Sequence, residues 1–392
     1  MKTSAFVYPW DVAGDPGAAD RIAGLGVEQA TLAAAYHSTR ALTPRHPRHR
    51  IVTAEYAAVL YPPGDRWAGR VLRPHVAGDW APGDAWGEAA GALAAAGLEV
   101  HTWVVLAHNS RLGMEHPHTS VVNAYGDRYP WAPCIARPDV RAYLVDLAAE
   151  AAVRPGAHGT ELESLGWYGL RHLHAHDKTG GAALGDAGEY LMSLCFCPDC
   201  RAGYGEQGLD ADKLAAVVRA ALEPVWRGAA DGEGWGDVER LLGADTAAAT
   251  LAWREHTART LQEAAVSAVR AAAPEGFQVL LHADPVSYHC GANAGVDPAH
   301  ILSRADGVVV PCVGGTAPLG MAPLAPFAAR AGLDTVLAAN LTVVSGLGGS
   351  PGTLAADAAR AQDAGATELR LYHAGLASDD DLAAVREALS GH

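Results

Sequence analysis

No apolar run in this chain is long enough to cross a bilayer, and no basic run is longer than RHPRHR at residues 45–50. No Gly-x-Gly-x-x-Gly follows the first strand-like segment either. These absences argue in turn against a transmembrane helix, a nucleic-acid partner and a dinucleotide site of the doubly wound kind. Basic groups are outnumbered, 29 Lys and Arg against 44 Asp and Glu, and the net charge of −15 repels a polyanion. The N-terminal MKTSAFVYPWDV carries one Lys, and Pro9 and Asp11 break its short apolar stretch, so it lacks the centre of a secretion signal. A cytoplasmic protein that meets neither membrane nor nucleic acid is expected; assembly into a homo-oligomer is left open. Cysteine is also scarce, six in 392 residues, which is too few for a disulfide framework.

What the chain has is alternation. Short β-type runs TSAFVYPW, VEQATLAAAYH, EVHTWVVLAHN, GTELESLGW, FQVLLHAD, DGVVVPC, DTVLAANL and ELRLYHAG are separated by Ala-rich helical stretches, several ending in Gly. Eight strand-helix units in series predict an α/β fold, a (β/α)8 TIM barrel formed as one domain over residues 1–392. Three connections are long: 38–67 after the second strand, 110–139 after the third, and a stretch after the fourth. The last holds, within 170–240, a loop, a cysteine cluster and a helical insertion from about Asp210 to Asp237. All three leave from the C-terminal ends of strands, the face where barrel enzymes build their sites.

Those strand ends supply the candidate pocket: Trp10 and Asp11, Tyr36 and His37, His108 and Asn109, Glu161 and Glu163, His282 and Asp284, Cys312, Asn340, and Tyr372 with His373. The period of two puts Glu161 and Glu163 on one face of the fourth strand and Leu162 on the other. Leu162 therefore packs outward against helices, and both carboxylates point inward, where burial demands a partner or a retained proton. Glu161, the deeper, is either catalytic or a salt-bridged core group; Glu163 is the stronger catalytic candidate. Polar residues such as His282, His108, Asn109, Tyr36, His37, Asn340 and Tyr372 suit sugar hydroxyls, and Trp10, Trp131 and Trp167 offer flat faces for sugar rings. His172, His174 and His176, in HLHAHDK, fit substrate contact better than a metal.

The cysteines are the more specific signal. Cys195, Cys197 and Cys200 offer three thiolates in one turn, and tetrahedral zinc needs a fourth ligand. Cys134, Cys290 and Cys312 are available, and Cys134 is chosen because its loop adjoins the one carrying the triplet. Four protein ligands leave no open coordination position, so the expected cofactor is a structural zinc, with no organic cofactor.

This order is similar to that of the zinc-bearing β-galactosidases of glycoside hydrolase family 42: a cysteine after the third strand, a carboxylate ending the fourth, then Cys-x-Cys-x-x-Cys. ALTPRHPRHRIVTAEYAAVLYPP, and RPDVRAYLVDLAAEAA leading into GTELESLGWYG, also resemble a broader group of bacterial glycosidase-like barrels. The resemblance covers mainly residues 30 to 205. It implies that Cys134, Cys195, Cys197 and Cys200 bind zinc and that Glu163 is the acid/base. It departs where Leu162 stands in place of the Asn that precedes the family's acid/base, and where LAANLTVV, with Asn340, replaces the seventh-strand nucleophile. A glycosidase acting on a small saccharide or glycoside is expected, with Asp284 as the second carboxylate and Asp11, Asp177 and Glu161 behind it. The alternatives are a metal-dependent sugar isomerase, epimerase or lyase, with Glu161 or Glu163, His282, Asp284 and His108 as ligands, and a carbohydrate-binding barrel without catalysis.

Overall fold

A computed structural model describes residues 1–173, 177–229 and 232–390. Eight strands form the barrel: β1 (Lys2–Val7), β2 (Gln29–Tyr36), β3 (Glu99–Val105), β4 (Gly159–Glu163), β5 (Gln278–Asp284), β6 (Gly307–Cys312), β7 (Val336–Thr342) and β8 (Glu368–Tyr372). Each pairs in parallel with its sequence neighbours. The sheet closes where β1 meets both β2 (Phe6 opposite Thr31) and β8 (Ala5 opposite Leu371). All eight expected strands form, and the fold is the expected (β/α)8 barrel.

Alternation divides the core into two shells. Leu162, Leu281, Val308 and Val310 face outward into a large apolar layer shared with the helices, whereas Leu280, Val309 and Ala338 face the barrel axis. Nearer the mouth the interior becomes aromatic, with Phe6, Tyr8, Tyr36 and Trp103. The covering helices begin where the local chemistry lets them. The Asp84 side chain caps Ala85–Ala95 by accepting from the Gly87 N–H at 3.0 Å, and Pro138 opens Pro138–Ala152 at a position that needs no N–H. Among the described residues no helix is long and apolar enough to cross a membrane.

The three long connections build the mouth. After β2 comes an antiparallel hairpin, Thr39–Leu42 with Ile51–Ala54. After β3 come the helix Ser110–Glu115 and a second hairpin, Ser120–Val122 with Arg128–Pro133. Helix and hairpin touch at Gly113, where a Cβ would fall 2.0 Å from the Pro130 carbonyl oxygen, so only glycine permits the contact. After β4 the helices Gly185–Ser193, Pro198–Glu206, Ala211–Trp226 and Trp235–Leu242 precede the long outer helix Ala244–Ala272. Of these, Ala211–Trp226 and the start of Trp235–Leu242 fall in the stretch expected to be helical, from about Asp210 to Asp237.

Candidate active site and cysteine centre

Glu163 ends β4 inside the mouth of the barrel, buried at 8% exposure. The Trp103 indole N–H, one strand away on the same inward face, donates to Glu163 Oε2 at 2.6 Å. His282 Nδ1 lies 3.9 Å from the same oxygen. Burial pushes the Glu163 carboxyl above the usual carboxylate range, against the pull of His282 and Trp103. The chain then turns at once: Ser164 has φ 56°, a left-handed conformation costing a non-glycine residue about 1–3 kcal/mol, and its N–H donates to the Ala292 carbonyl at 2.8 Å.

Above Glu163 opens a cavity of about 640 Å³. Tyr36, His37, His282, Asn340 and Tyr372, all expected in the pocket, line it. Its aromatic wall is continuous: Tyr36 meets Trp103 edge-on with centroids 4.6 Å apart, and Tyr8 meets Tyr36 at 4.9 Å. The Tyr8 hydroxyl donates to the Tyr36 hydroxyl at 3.0 Å, and both lie close enough to the Tyr372 hydroxyl to act on its titration. The His37 Nδ1 pairs with the Ser38 carbonyl oxygen at 2.8 Å, and burial lowers the ring's pKa to about 4, so at neutral pH it is uncharged. Among the described residues, Glu163 is the one carboxylate in the lining.

Glu161 is not in that lining. It is fully buried one layer down: the Arg370 Nε–H donates to its Oε1 at 2.5 Å and the Thr31 hydroxyl at 3.1 Å, while His282 Nε2 stands 3.4 Å from Oε2. Arg370 and His282 hold its carboxyl at about 2 despite burial. Of its two readings, the salt-bridged core group is the one observed. Asp284 turns aside to accept from the Val286 N–H at 2.8 Å and to pair with His289 Nδ1 at 2.9 Å. It does not line the cavity.

Five other expected contacts are redirected. Asp11 folds back to accept from the Tyr8 N–H at 2.8 Å, and burial raises its pKa to about 7. Trp10, in the short helix Pro9–Val12, stacks behind Tyr8 at 4.6 Å and opens onto a separate depression beyond the first hairpin. The reason is that β1 stops at Val7, so the alternation that carries Tyr8 inward does not extend to residues 10 and 11. Similarly β3 stops at Val105 instead of reaching residue 109. His108 is left stacked on Tyr168 at 4.2 Å, 5.0 Å behind His37, and Asn109 caps Ser110–Glu115 by accepting from the Leu112 N–H. Trp167 is a core residue, donating to the Arg254 carbonyl at 3.0 Å. His174 and His176 lie outside the described residues.

His172, from the histidine run, also lines the cavity; Tyr8, Trp103, Asn293 and Thr342 line it without having been named for it. Trp103 and Tyr8 had a signal, since both share the inward parity of their strands. Asn293 had none, because its position depends on the excursion after β5.

The four expected cysteines converge. Cys134 Sγ is 3.6 Å from both Cys197 Sγ and Cys200 Sγ, and all four sulfurs lie within 4.8 Å of one another. That is far beyond the roughly 2.05 Å of a disulfide. Four thiolates about 2.3 Å from a tetrahedral ion would stand about 3.8 Å apart, so the spacing suits a metal. All four are buried, and Arg137, ion-paired to Asp199 at 3.0 Å, lies beside Cys134 and Cys197. Among the described residues this is the one set of three or more ligand side chains that converges; Glu161, Glu163, His282, Asp284 and His108 do not. The quartet binds the two loops together: the Val122 N–H donates to Cys195 Sγ at 3.4 Å, and the Phe196 N–H to the Val122 carbonyl at 2.6 Å.

No family's sequence profile and no curated protein matches the chain. Its fold is similar to solved glycoside hydrolases. An α-L-fucosidase isoenzyme 2 from Paenibacillus thiaminolyticus aligns at TM-score 0.57 and 11% identity, over 100% of this chain and 49% of that one. The glycoside hydrolase domain of PgaB (BpsB) from Bordetella bronchiseptica aligns at 0.55 and 17%, over 99% of each chain. A family 42 β-galactosidase from G. stearothermophilus aligns at 0.53 and 12%, over 100% and 56%. The chain thus spans about half the length of the fucosidase and little more of the β-galactosidase.

Proposed function

We propose that this chain cleaves a glycosidic bond, with Glu163 delivering a proton to the leaving-group oxygen and later taking one from water. The observation that carries this reading is the state of Glu163: a carboxyl biased by burial toward its protonated form, oriented by Trp103, at the floor of an aromatic cavity. The fold similarity to glycoside hydrolases supports it, as do the phenol, imidazole and amide groups available to sugar hydroxyls. The isomerase alternative loses support, because its ligands do not converge and Glu161 is committed to Arg370.

Replacing Glu163 by Gln should lower turnover of nitrophenyl glycosides by about 10²–10⁴-fold with the fold retained. Wild-type turnover by that variant would overturn the assignment, and glycan binding without turnover by the wild type would reduce the cavity to recognition.

The cysteine quartet is read as a structural zinc centre within a single barrel unit, residues 170–240 being an insertion in it. Zinc would lock the loops after β3 and β4, and with four protein ligands it takes no part in catalysis. Elemental analysis should find one tightly held zinc per chain, lost in Cys197→Ser; no metal in protein purified without chelator would refute this.

A further inference from the structure

The cavity presents an acid and no evident partner for it. Glycoside hydrolysis normally uses a second carboxyl group, about 5–5.5 Å from the first for retention or 6.5–9.5 Å for inversion. Among the described residues no second carboxylate lines the cavity. Glu161 is spent on Arg370 and Asp284 on His289.

The other groups present do not replace it. A tyrosine nucleophile needs a base to take its proton, yet the Tyr8 hydroxyl bonds to the Tyr36 hydroxyl, and the Glu163 oxygen accepts from Trp103. His282 cannot act from across the sugar, because it sits against Glu163 at 3.9 Å and against Glu161 at 3.4 Å. His37 is neutral, but its low pKa makes it a poor base.

The cavity's remaining features suit an amide. Asn340 lines it, and its buried side-chain oxygen has no hydrogen-bond partner. An acceptor of this kind matches an N–H. Trp103, Tyr8, Tyr36 and Tyr372 line the cavity with apolar ring faces against which a methyl group can pack, and the Tyr36 and Tyr372 hydroxyls can donate to a carbonyl oxygen.

We infer that the substrate brings its own nucleophile: it is a 1,2-trans 2-acetamido-2-deoxy glycoside, whose amide oxygen replaces the absent second carboxylate. This rests on the glycosidase reading of Glu163. In the first step the acetamido carbonyl oxygen bonds to the anomeric carbon as the bond to the leaving-group oxygen breaks. The Glu163 proton goes to that oxygen, leaving a cyclic oxazolinium and a carboxylate. In the second, Glu163 takes a proton from water as the water oxygen attacks the anomeric carbon and the ring C–O bond breaks. The acetamido group, the retained configuration and the protonated acid are all restored.

The test uses the full chain and paired nitrophenyl glycosides in the gluco and galacto series, 2-acetamido against 2-hydroxy. The 2-acetamido β-glycosides should be turned over at least ~10²-fold faster, with retention seen by proton NMR, and the N-trifluoroacetyl analogue, a weaker nucleophile, should be slower than the N-acetyl parent. The matching thiazoline, a stable mimic of the cyclic intermediate, should bind more tightly than the parent sugar in calorimetry. Equal or faster turnover of the 2-hydroxy glycosides, or inversion, overturns the acetamido assignment and leaves the role of Glu163 intact. No turnover of any glycoside in either set overturns both.

Discussion

Glu161 and Glu163 stand two residues apart on β4 and point the same way, yet they meet opposite surroundings. Arg370, Thr31 and His282 surround Glu161, and its carboxyl is held down at about 2. Glu163, one layer nearer the mouth, has the Trp103 N–H and an open cavity, and its carboxyl is pushed up. Local sequence alone does not separate them. The distinction comes from β8, where Arg370 reaches across the barrel axis to one layer and not the other. A buried carboxylate held by a buried guanidinium stabilises the barrel, whereas one left facing a cavity remains available for chemistry.

The largest expected effect comes from removing the counter-charge. Arg370→Leu leaves Glu161 and Glu368 without their cation and should cost about 3–5 kcal/mol in urea denaturation. The two carboxyls should also respond to pH in opposite senses. The folded pKa of Glu161 lies below its unfolded value, so its contribution is present at neutral pH and is lost as pH falls from about 4.5 towards about 2. That of Glu163 is raised, so its contribution is full below the unfolded value and is lost as pH rises through the folded one. Glu163→Gln should therefore gain stability on the wild type as pH rises towards neutral and lose that advantage in acid. An advantage that grows in acid would contradict the placement of the two layers.

The smallest effect is expected at Asp284, which is engaged by His289 outside the cavity. Asp284→Asn should keep kcat within about twofold of wild type, well under 1 kcal/mol in barrier height. A hundredfold loss would restore Asp284 as a catalytic carboxylate and remove the case for a substrate-borne nucleophile.

The barrel was legible because eight apolar alternations recur with helices between them, and Leu162 against Glu161 and Glu163 even showed which way β4 faces. Strand ends were not legible. The run LAHN continues the apolar-polar rhythm of β3, but the strand ends at Val105 and the last backbone bonds towards β4 come from Leu106 and Ala107, so His108 and Asn109 belong to the connection. Likewise Pro9 starts a helical turn that carries Trp10 and Asp11 away from the mouth. Cys134 could be matched to a triplet some 60 residues away because thiol chemistry narrows the choice to a few residues. The partner of Asp284 could not be foreseen, since it depends on the path of the loop after β5.

The equal spacing of Cys134 from Cys197 and Cys200, 3.6 Å in each case, has a redox consequence. If the quartet holds no metal and meets an oxidant, Cys134 can bond to either neighbour but not to both, and each choice leaves the other cysteine with Cys195 as its remaining thiol partner. Oxidised material would then be a mixture of covalent isomers with differently strained loops over β3 and β4. A reducing medium, or a bound ion, keeps the rim in one chemical form.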